Sequence, residues 1–277
     1  LVARQLIVGL GQSNEGGIGV AANVTVFQGI TNPYAAVPTM SRGSKLTDPP
    51  NVVFDPASGS RALSPRTVSL GAPYSVGTIG ILPTMGRILD AARPGVWAMG
   101  EVWLDGSSLQ TRWMPGSAYP IGGPPWFTQV VGYIQNMEST MGAALAGIVW
   151  IQGTSDALAI PDQDNYLSNL VTFFSTLRAV PGWSNVAITV DQISSQFIAN
   201  FDGGSAVVGG AKVRAAQQTF VSSTARTALV NTDDLALRDN AHYADDSYAI
   251  LGIRHANAML ALLGIQTGFV GLGIGLR

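Results

Sequence analysis

The sequence predicts an α/β fold: a three-layer α/β/α sandwich with a parallel sheet of about five strands, in one domain over residues 1–265. Three observations predict it. Short apolar runs bounded by glycine or polar turns, such as Leu6-Ile7-Val8, Gly147–Ile151 and Val186–Val190, read as strands buried on both faces. Apolar residues at helical spacing separate them, at Phe127, Val130, Ile134, Met137 and Met141, and at Tyr166, Leu170, Phe173 and Leu177. The 277 residues are 47% hydrophobic and only 12% charged, a balance that suits a sheet covered on both sides.

The first strand, around Gln5–Leu10, runs into Gly11-Gln12-Ser13-Asn14-Glu15. In an open parallel sheet ligands bind beyond the carboxyl ends of the strands, which makes Ser13 a candidate for chemistry. A dinucleotide fingerprint fails here, because Asn14 stands at the third glycine position and no Asp or Glu lies between Glu15 and Asp48. A G-x-S-x-G nucleophile elbow fails at Glu15. A polar cap on a helix beginning near Ser13 is the plain alternative. The glycines of Glu15–Gly19 predict a loop next, and residues 30–79 an irregular excursion with one strand pair.

Pro83 or Thr84 opens a helix carrying Met85, Ile88 and Leu89 on one face. Val96–Leu104 reads as one strand, or as two joined by a bulge at Gly100, followed by turns through Asp105–Leu109 and Arg112–Ser117. Pro124-Pro125 starts the next helix, and Gly147–Ile151 is the strand that ends in Gln152-Gly153-Thr154-Ser155-Asp156-Ala157. A helix starts near Asp162 or Asp164 and stops before Pro181-Gly182. The strand Val186–Val190, a helix over 211–223 and a strand at Ala228–Val230 complete the alternation.

Asp239-Asn240-Ala241-His242 is the second anchor. A serine hydroxyl needs a base to take its proton, and an imidazole base needs an acceptor on its other nitrogen. A loop of this length can set Asp239 against His242 unaided. The chain has only two histidines, and the other, His255, falls on the last helix as an ordinary packed residue.

These motifs, in this order, resemble the SGNH hydrolases, in the branch of the sialate O-acetylesterases and the acetylxylan esterases of carbohydrate esterase family 6. Gly-Gln-Ser-Asn at 11–14 resembles block I, Asp-x-x-His at 239–242 block V, and Gly80 stands at the block II position with Ile81 replacing a proline. Ser107-Ser108-Leu109 with Trp113-Met114-Pro115-Gly116 resembles a further family loop. Gln152–Ala157 resembles the Gln-Gly-Glu segment, with Thr154 replacing the glutamate and Glu15 the candidate to supply its support. The resemblance implies a flavodoxin-like layout and a serine esterase that removes O-acetyl groups from a carbohydrate through an acyl-enzyme, without a cofactor. It implies Ser13, Asp239 and His242 as the triad, and the Ser13 and Gly80 N–H groups with the Gln152 amide as the oxyanion hole. It also implies Ser108 and Trp113 beside the substrate, with a tryptophan that closes the core as the competing account of Trp113.

A net charge of −2 and two lysines argue against a nucleic-acid or anionic-membrane surface, and no His–carboxylate spacing suggests a metal. Zero cysteines exclude disulfides. No secretory leader pattern precedes the first strand, which leaves export open. A polysaccharide substrate would favour an extracellular, periplasmic or virion-associated setting over the cytoplasm. Ala256–Leu276 is uncharged, but its glycines and polar residues argue against a membrane span. Residues 266–277 form a Gly-rich apolar tail whose alternation at 270–276 predicts an extended segment docked on this domain or a neighbouring chain. A linker to a further domain is the alternative. Two other functions share the fold: a binding or virion-surface carbohydrate module with a degraded site, and an O-acyltransferase.

Overall fold

The computed structural model describes residues 4–16, 19–20, 39–44, 78–104, 106–117, 124–200 and 205–266. The elements run β1 (Arg4–Gly11), α1 (Ser13–Gly16), β2 (Gly19–Val20), β3 (Thr39–Ser44), β4 (Thr78–Ile79), α2 (Leu82–Ala92) and β5 (Trp97–Leu104). A π-helical turn (Leu109–Trp113) precedes α3 (Trp126–Met141), β6 (Ala143–Ile151), α4 (Thr154–Ala157) and α5 (Ile160–Arg178). The chain continues through β7 (Ala187–Asp191), α6 (Ser195–Asn200), α7 (Ser205–Ser223), β8 (Thr227–Val230) and α8 (Asp245–Leu262). The tail alternation at 270–276 and most of the 30–79 excursion lie outside the described residues.

Six strands form one parallel sheet in the order β3-β5-β1-β6-β7-β8. Without the edge strand β3, the order in chain sequence is second, first, third, fourth, fifth, the flavodoxin-like arrangement. β3 is the strand beyond the expected five. The chain reverses direction across the sheet at β1, so the crevice between the ends of β1 and β6 is the switch point where such folds bind ligands.

Strand alternation divides the core into two layers. Leu6, Val8, Leu10, Ile148 and Trp150 point into one layer with α3, α5 and α7. Ile7, Met99, Val149 and Ile151 point into the other with α2 and α8. The first layer centres on an aromatic cluster in which Trp113 meets Trp126, Trp150 and Phe173 edge-on, at centroid distances of 6.0, 5.2 and 6.1 Å. Each such pair contributes about 0.5–1.5 kcal/mol beyond its buried area.

Proline and glycine set the helix limits. Pro125 is the N-cap of α3, and Gly142 closes it in the left-handed region at φ +57°. α2 and α5 each carry a proline in the first turn, where the missing N–H costs nothing. Gly100 makes no bulge: β5 pairs with β1 in continuous register through it. Its role is clearance, since a Cβ there would lie 2.5 Å from the Met137 sulfur on α3. The irregularity in the central sheet falls in the β1–β6 pairing instead, between Leu6 and Ile7. Glu15 and Gly16, expected as the start of a loop, belong to the short helix α1, which begins at Ser13 as the plain alternative had it. α5 starts before Asp162, at Ile160.

Candidate active site

β1 carries the chain to the switch point, and pairing continues one residue past it, with Gln12 N–H donating to the Ile151 carbonyl at 3.2 Å. α1 then begins at Ser13, with Glu15 N–H donating to the Gln12 carbonyl at 2.9 Å. From the other end of the chain comes the loop 236–244. It is closed by the antiparallel bridge Leu237–Tyr243, by Arg238 N–H to the His242 carbonyl at 2.8 Å, and by Ala244 N–H to the Ala236 carbonyl at 2.8 Å. Within it Asp239 Oδ1 accepts the N–H groups of Ala241 and His242, both at 2.8 Å, an Asx-type turn that points carboxylate and ring at each other.

The two ends meet. His242 Nε2 lies 2.9 Å from Ser13 Oγ, and His242 Nδ1 lies 2.9 and 3.0 Å from the two Asp239 oxygens. Ser13 is buried, while the side chains of His242 and Asp239 are 27% and 48% exposed. Partial burial pushes the Asp239 carboxyl up, but the Ala241 and His242 N–H donors and the imidazole outweigh it and hold the group below its ordinary value. A charged carboxylate accepts only, so the imidazole proton belongs on Nδ1 and the Nε2 lone pair faces the serine.

Gln152 follows β6 into the same crevice and is buried. Its Nε2 faces three acceptors: an Asp156 oxygen, the Ser107 carbonyl at 3.1 Å and Gln12 Oε1 at 3.4 Å. Its Oε1 accepts from the Tyr166 hydroxyl at 3.0 Å. An amide with two hydrogens and three acceptors has none idle, so Gln152 is anchored rather than turned freely toward a ligand. Asp156, fully buried, also accepts Leu109 N–H at 3.0 and 2.9 Å and thereby ties the π-helical turn to α4. Burial raises its carboxyl to about 7, with Gln152 and Leu109 as donors opposing the rise.

Gly80 is buried between β4 and Ile81, the N-cap of α2. The two residues expected beside the substrate are placed as follows. Trp113 is fully buried in the aromatic cluster, and its indole N–H donates to Ser107 Oγ at 2.7 Å, so it closes the core. Ser108 caps the π-helical turn, accepting Thr111 N–H at 3.2 Å and lying 2.7 Å from the Thr111 hydroxyl. Glu15 does not stand in for the glutamate missing at Thr154. Gln12 Nε2 meets the Thr154 hydroxyl itself, while the Glu15 carboxyl lies against Gly9 of β1, fully buried and with no hydrogen-bond partner on either oxygen. Burial, then Glu101 and Asp191, push Glu15 well above its ordinary value. His255 is buried in α8, 2.8 Å from the Thr189 hydroxyl, and burial lowers it to about 3.

Sequence reasoning assigned no role to Asn14, although it lies inside a quoted motif. Its Nδ2 donates to the Ala241 carbonyl at 3.0 Å, and its Oδ1 accepts Tyr243 N–H at 3.3 Å and the Tyr248 hydroxyl at 3.0 Å. Among the described residues no group of three or more His, Asp or Glu side chains is placed to hold a metal ion, and no helix is long and apolar enough to cross a membrane.

Fold and crevice together define the class, an SGNH-type carbohydrate-esterase domain. The chain belongs to the family described as carbohydrate esterase, sialic acid-specific acetylesterase, whose sequence model matches residues 96–261. No curated protein matches it. Three solved structures share the fold. A protein from Arabidopsis thaliana is 20% identical with a TM-score of 0.66, over 94% of this chain and 98% of that one. A carbohydrate acetylesterase from Xanthomonas citri is 16% identical with a TM-score of 0.64, over 95% of this chain and 57% of that one. NanS is 11% identical with a TM-score of 0.62, over 95% and 99%.

Proposed function

We propose that the protein is a serine esterase that removes O-acetyl groups from a carbohydrate. The observation that carries this reading is the 2.9 Å approach of Ser13 Oγ to His242 Nε2, with Asp239 on the far side of the ring. Membership of a carbohydrate esterase family supports the substrate class, and the acetylesterase from Xanthomonas citri on the same fold supports acetyl as the group removed.

In the first half-reaction His242 Nε2 takes the Ser13 proton as Oγ attacks the acetyl carbonyl carbon. The resulting oxyanion is received by the backbone N–H of Ser13, which opens α1 and so has no helical acceptor, and by that of Gly80. Gln152 joins them by exchanging its longest contact, that to Gln12 Oε1. Gln12 Oε1 keeps the Ser155 N–H at 3.5 Å. His242 then returns the proton to the departing sugar oxygen, leaving acetyl-Ser13. In the second half-reaction His242 deprotonates a water that attacks the acyl carbon, then gives that proton to Ser13 Oγ as the bond from Oγ to the acyl carbon breaks and acetate leaves. Asp239 stabilises the imidazolium in both halves without itself taking a proton.

Hydrolysis of a small aryl acetate by wild type and Ser13→Ala tests the proposal. Turnover should fall by several powers of ten with the fold intact, about the loss seen when a triad nucleophile is removed. A Ser13→Ala variant with wild-type turnover refutes it.

A further inference from the structure

Ser13 and His242 are separated by 229 residues, yet the proposed proton transfer needs their atoms at 2.9 Å. The loop 236–244 builds the Asp239–His242 pair from its own hydrogen bonds, so the pair is rigid as a unit. Those bonds say nothing about where the unit stands relative to Ser13. Asn14, the residue after Ser13, bridges that gap. Its carboxamide donates to the carbonyl of Ala241 and accepts the N–H of Tyr243, the two backbone groups on either side of His242. A planar amide with one donor and one acceptor matches this pair as a neighbouring peptide would. The Tyr248 hydroxyl, from the first turns of α8, holds the same Oδ1 and fixes the rotamer. Asn14, Tyr243 and Tyr248 are buried, at 5% exposure or less, which shields the bonds to Tyr243 and Tyr248 from competing water, while the bond to Ala241 is half-buried.

We infer that Asn14 is a positioning residue that sets the Ser13–His242 distance by clamping the backbone on both sides of the imidazole. The inference rests on the esterase reading above. Asn14 touches no reacting atom. Its effect is therefore on the rate of proton transfer in the bound complex and not on substrate binding, and a displacement near 1 Å costs about 10²-fold in rate.

The test is steady-state hydrolysis of an aryl acetate, paired with proton NMR of the downfield resonance from the His242–Asp239 hydrogen bond. Asn14→Ala should lower kcat by about 10²-fold with KM within about twofold, while the downfield resonance persists, because the loop's internal bonds do not involve Asn14. An unchanged kcat, a loss confined to KM, or disappearance of the resonance overturns the inference. Should Asn14→Ala not fold, Tyr248→Phe decides. That variant removes one of the three bonds, and a fall in kcat of about fivefold at constant KM supports the clamp. An unchanged kcat in Tyr248→Phe overturns it. Ser13→Ala with wild-type activity would refute the esterase reading itself, whereas full dependence on Ser13 with unaffected Asn14 and Tyr248 variants would refute only the clamp.

Discussion

Gly9→Ala should destabilise the domain through a residue that is not its neighbour in sequence. A Cβ at Gly9 would lie 1.5 Å from Glu15 Oε1 and 2.4 Å from Glu15 Cδ. Ordinarily the end of a glutamate chain swings clear, but Glu15 is fully buried and its own Cβ is 3.0 Å from where a Cβ of Gly11 would stand. Displacing the enclosed carboxyl strains its surroundings, α1 with Ser13 among them. Overpacking of this kind costs about 1–3 kcal/mol, and an overlap this deep belongs at the upper end, about 3 kcal/mol. For a domain of this size that is a fall of roughly 2–4 °C in Tm per kcal/mol. Esterase activity should fall with it. Glu15→Ala in the same chain removes the obstacle, so the double variant should recover about 2 kcal/mol relative to the sum of the singles. Urea unfolding of the four proteins measures this directly. A Gly9→Ala variant within about 0.5 kcal/mol of wild type, or strict additivity in the cycle, would refute the reasoning. Glu15→Gln gives a companion result in pH. A carboxyl raised by burial stabilises the fold most below its unfolded value and less as pH rises toward its folded value. Asp156 and Asp191, raised to about 7 and about 8, act in the same direction. Glu15→Gln should therefore lessen the loss of stability on the alkaline side without abolishing it.

Asp239→Asn should keep the loop's length but lose the acceptor that places the imidazole proton on Nδ1, lowering kcat by about 10⁴-fold, as the same change does in a serine protease triad; stopped-flow acylation of Ser13 measures it. Gln152→Ala should lower kcat by about 10²–10³-fold with little change in KM, and a change confined to KM would move Gln152 from the oxyanion to the substrate. His255 is lowered to about 3 by burial, against an unfolded value near 6.5, so the stability it lends is present above pH 6.5 and lost as pH falls toward 3. His255→Gln should flatten that acid limb in pH-dependent urea unfolding, with esterase activity unchanged.

How much of this was legible in sequence depended on the reach of the interaction involved. The strands with apolar runs and the helices with a 3.6-residue period were readable because burial on a face repeats locally. β3 was not, because Thr39–Ser44 lies at the sheet edge and carries almost no apolar signal. Gly100 suggested a bulge, since a lone glycine in a strand often marks one, but what it answers to is Met137, on a helix nearly forty residues on. Within the crevice, Ser13 stood out at a strand end, and Asp239 and His242 as a carboxylate and one of only two histidines three residues apart in one loop. The orientation of Gln152 did not, because its acceptors come from residues 12, 107 and 156 and no local pattern encodes that meeting.

The contiguity of Gln12-Ser13-Asn14-Glu15 has a geometric cause. Ser13, Asn14 and Glu15 share one helical turn, so their side chains leave the axis about 100° apart. One turn thus sends Ser13 toward His242, Asn14 to the backbone around His242, and Glu15 down onto Gly9. Gln12, just ahead of the turn, reaches across to Thr154 at the end of β6. Three parts of the fold are therefore joined by four consecutive residues, and any insertion among them would rotate every contact by a third of a turn or so. An insertion after Ser13 should abolish activity more completely than one of equal length in the turn between α5 and β7, which carries no residue of the crevice. The His242 loop faces no such demand. It makes its own hydrogen bonds, is anchored by Tyr243 to Asp191 and by the Asn240 carbonyl to Asn200, and is joined to the serine turn by Asn14.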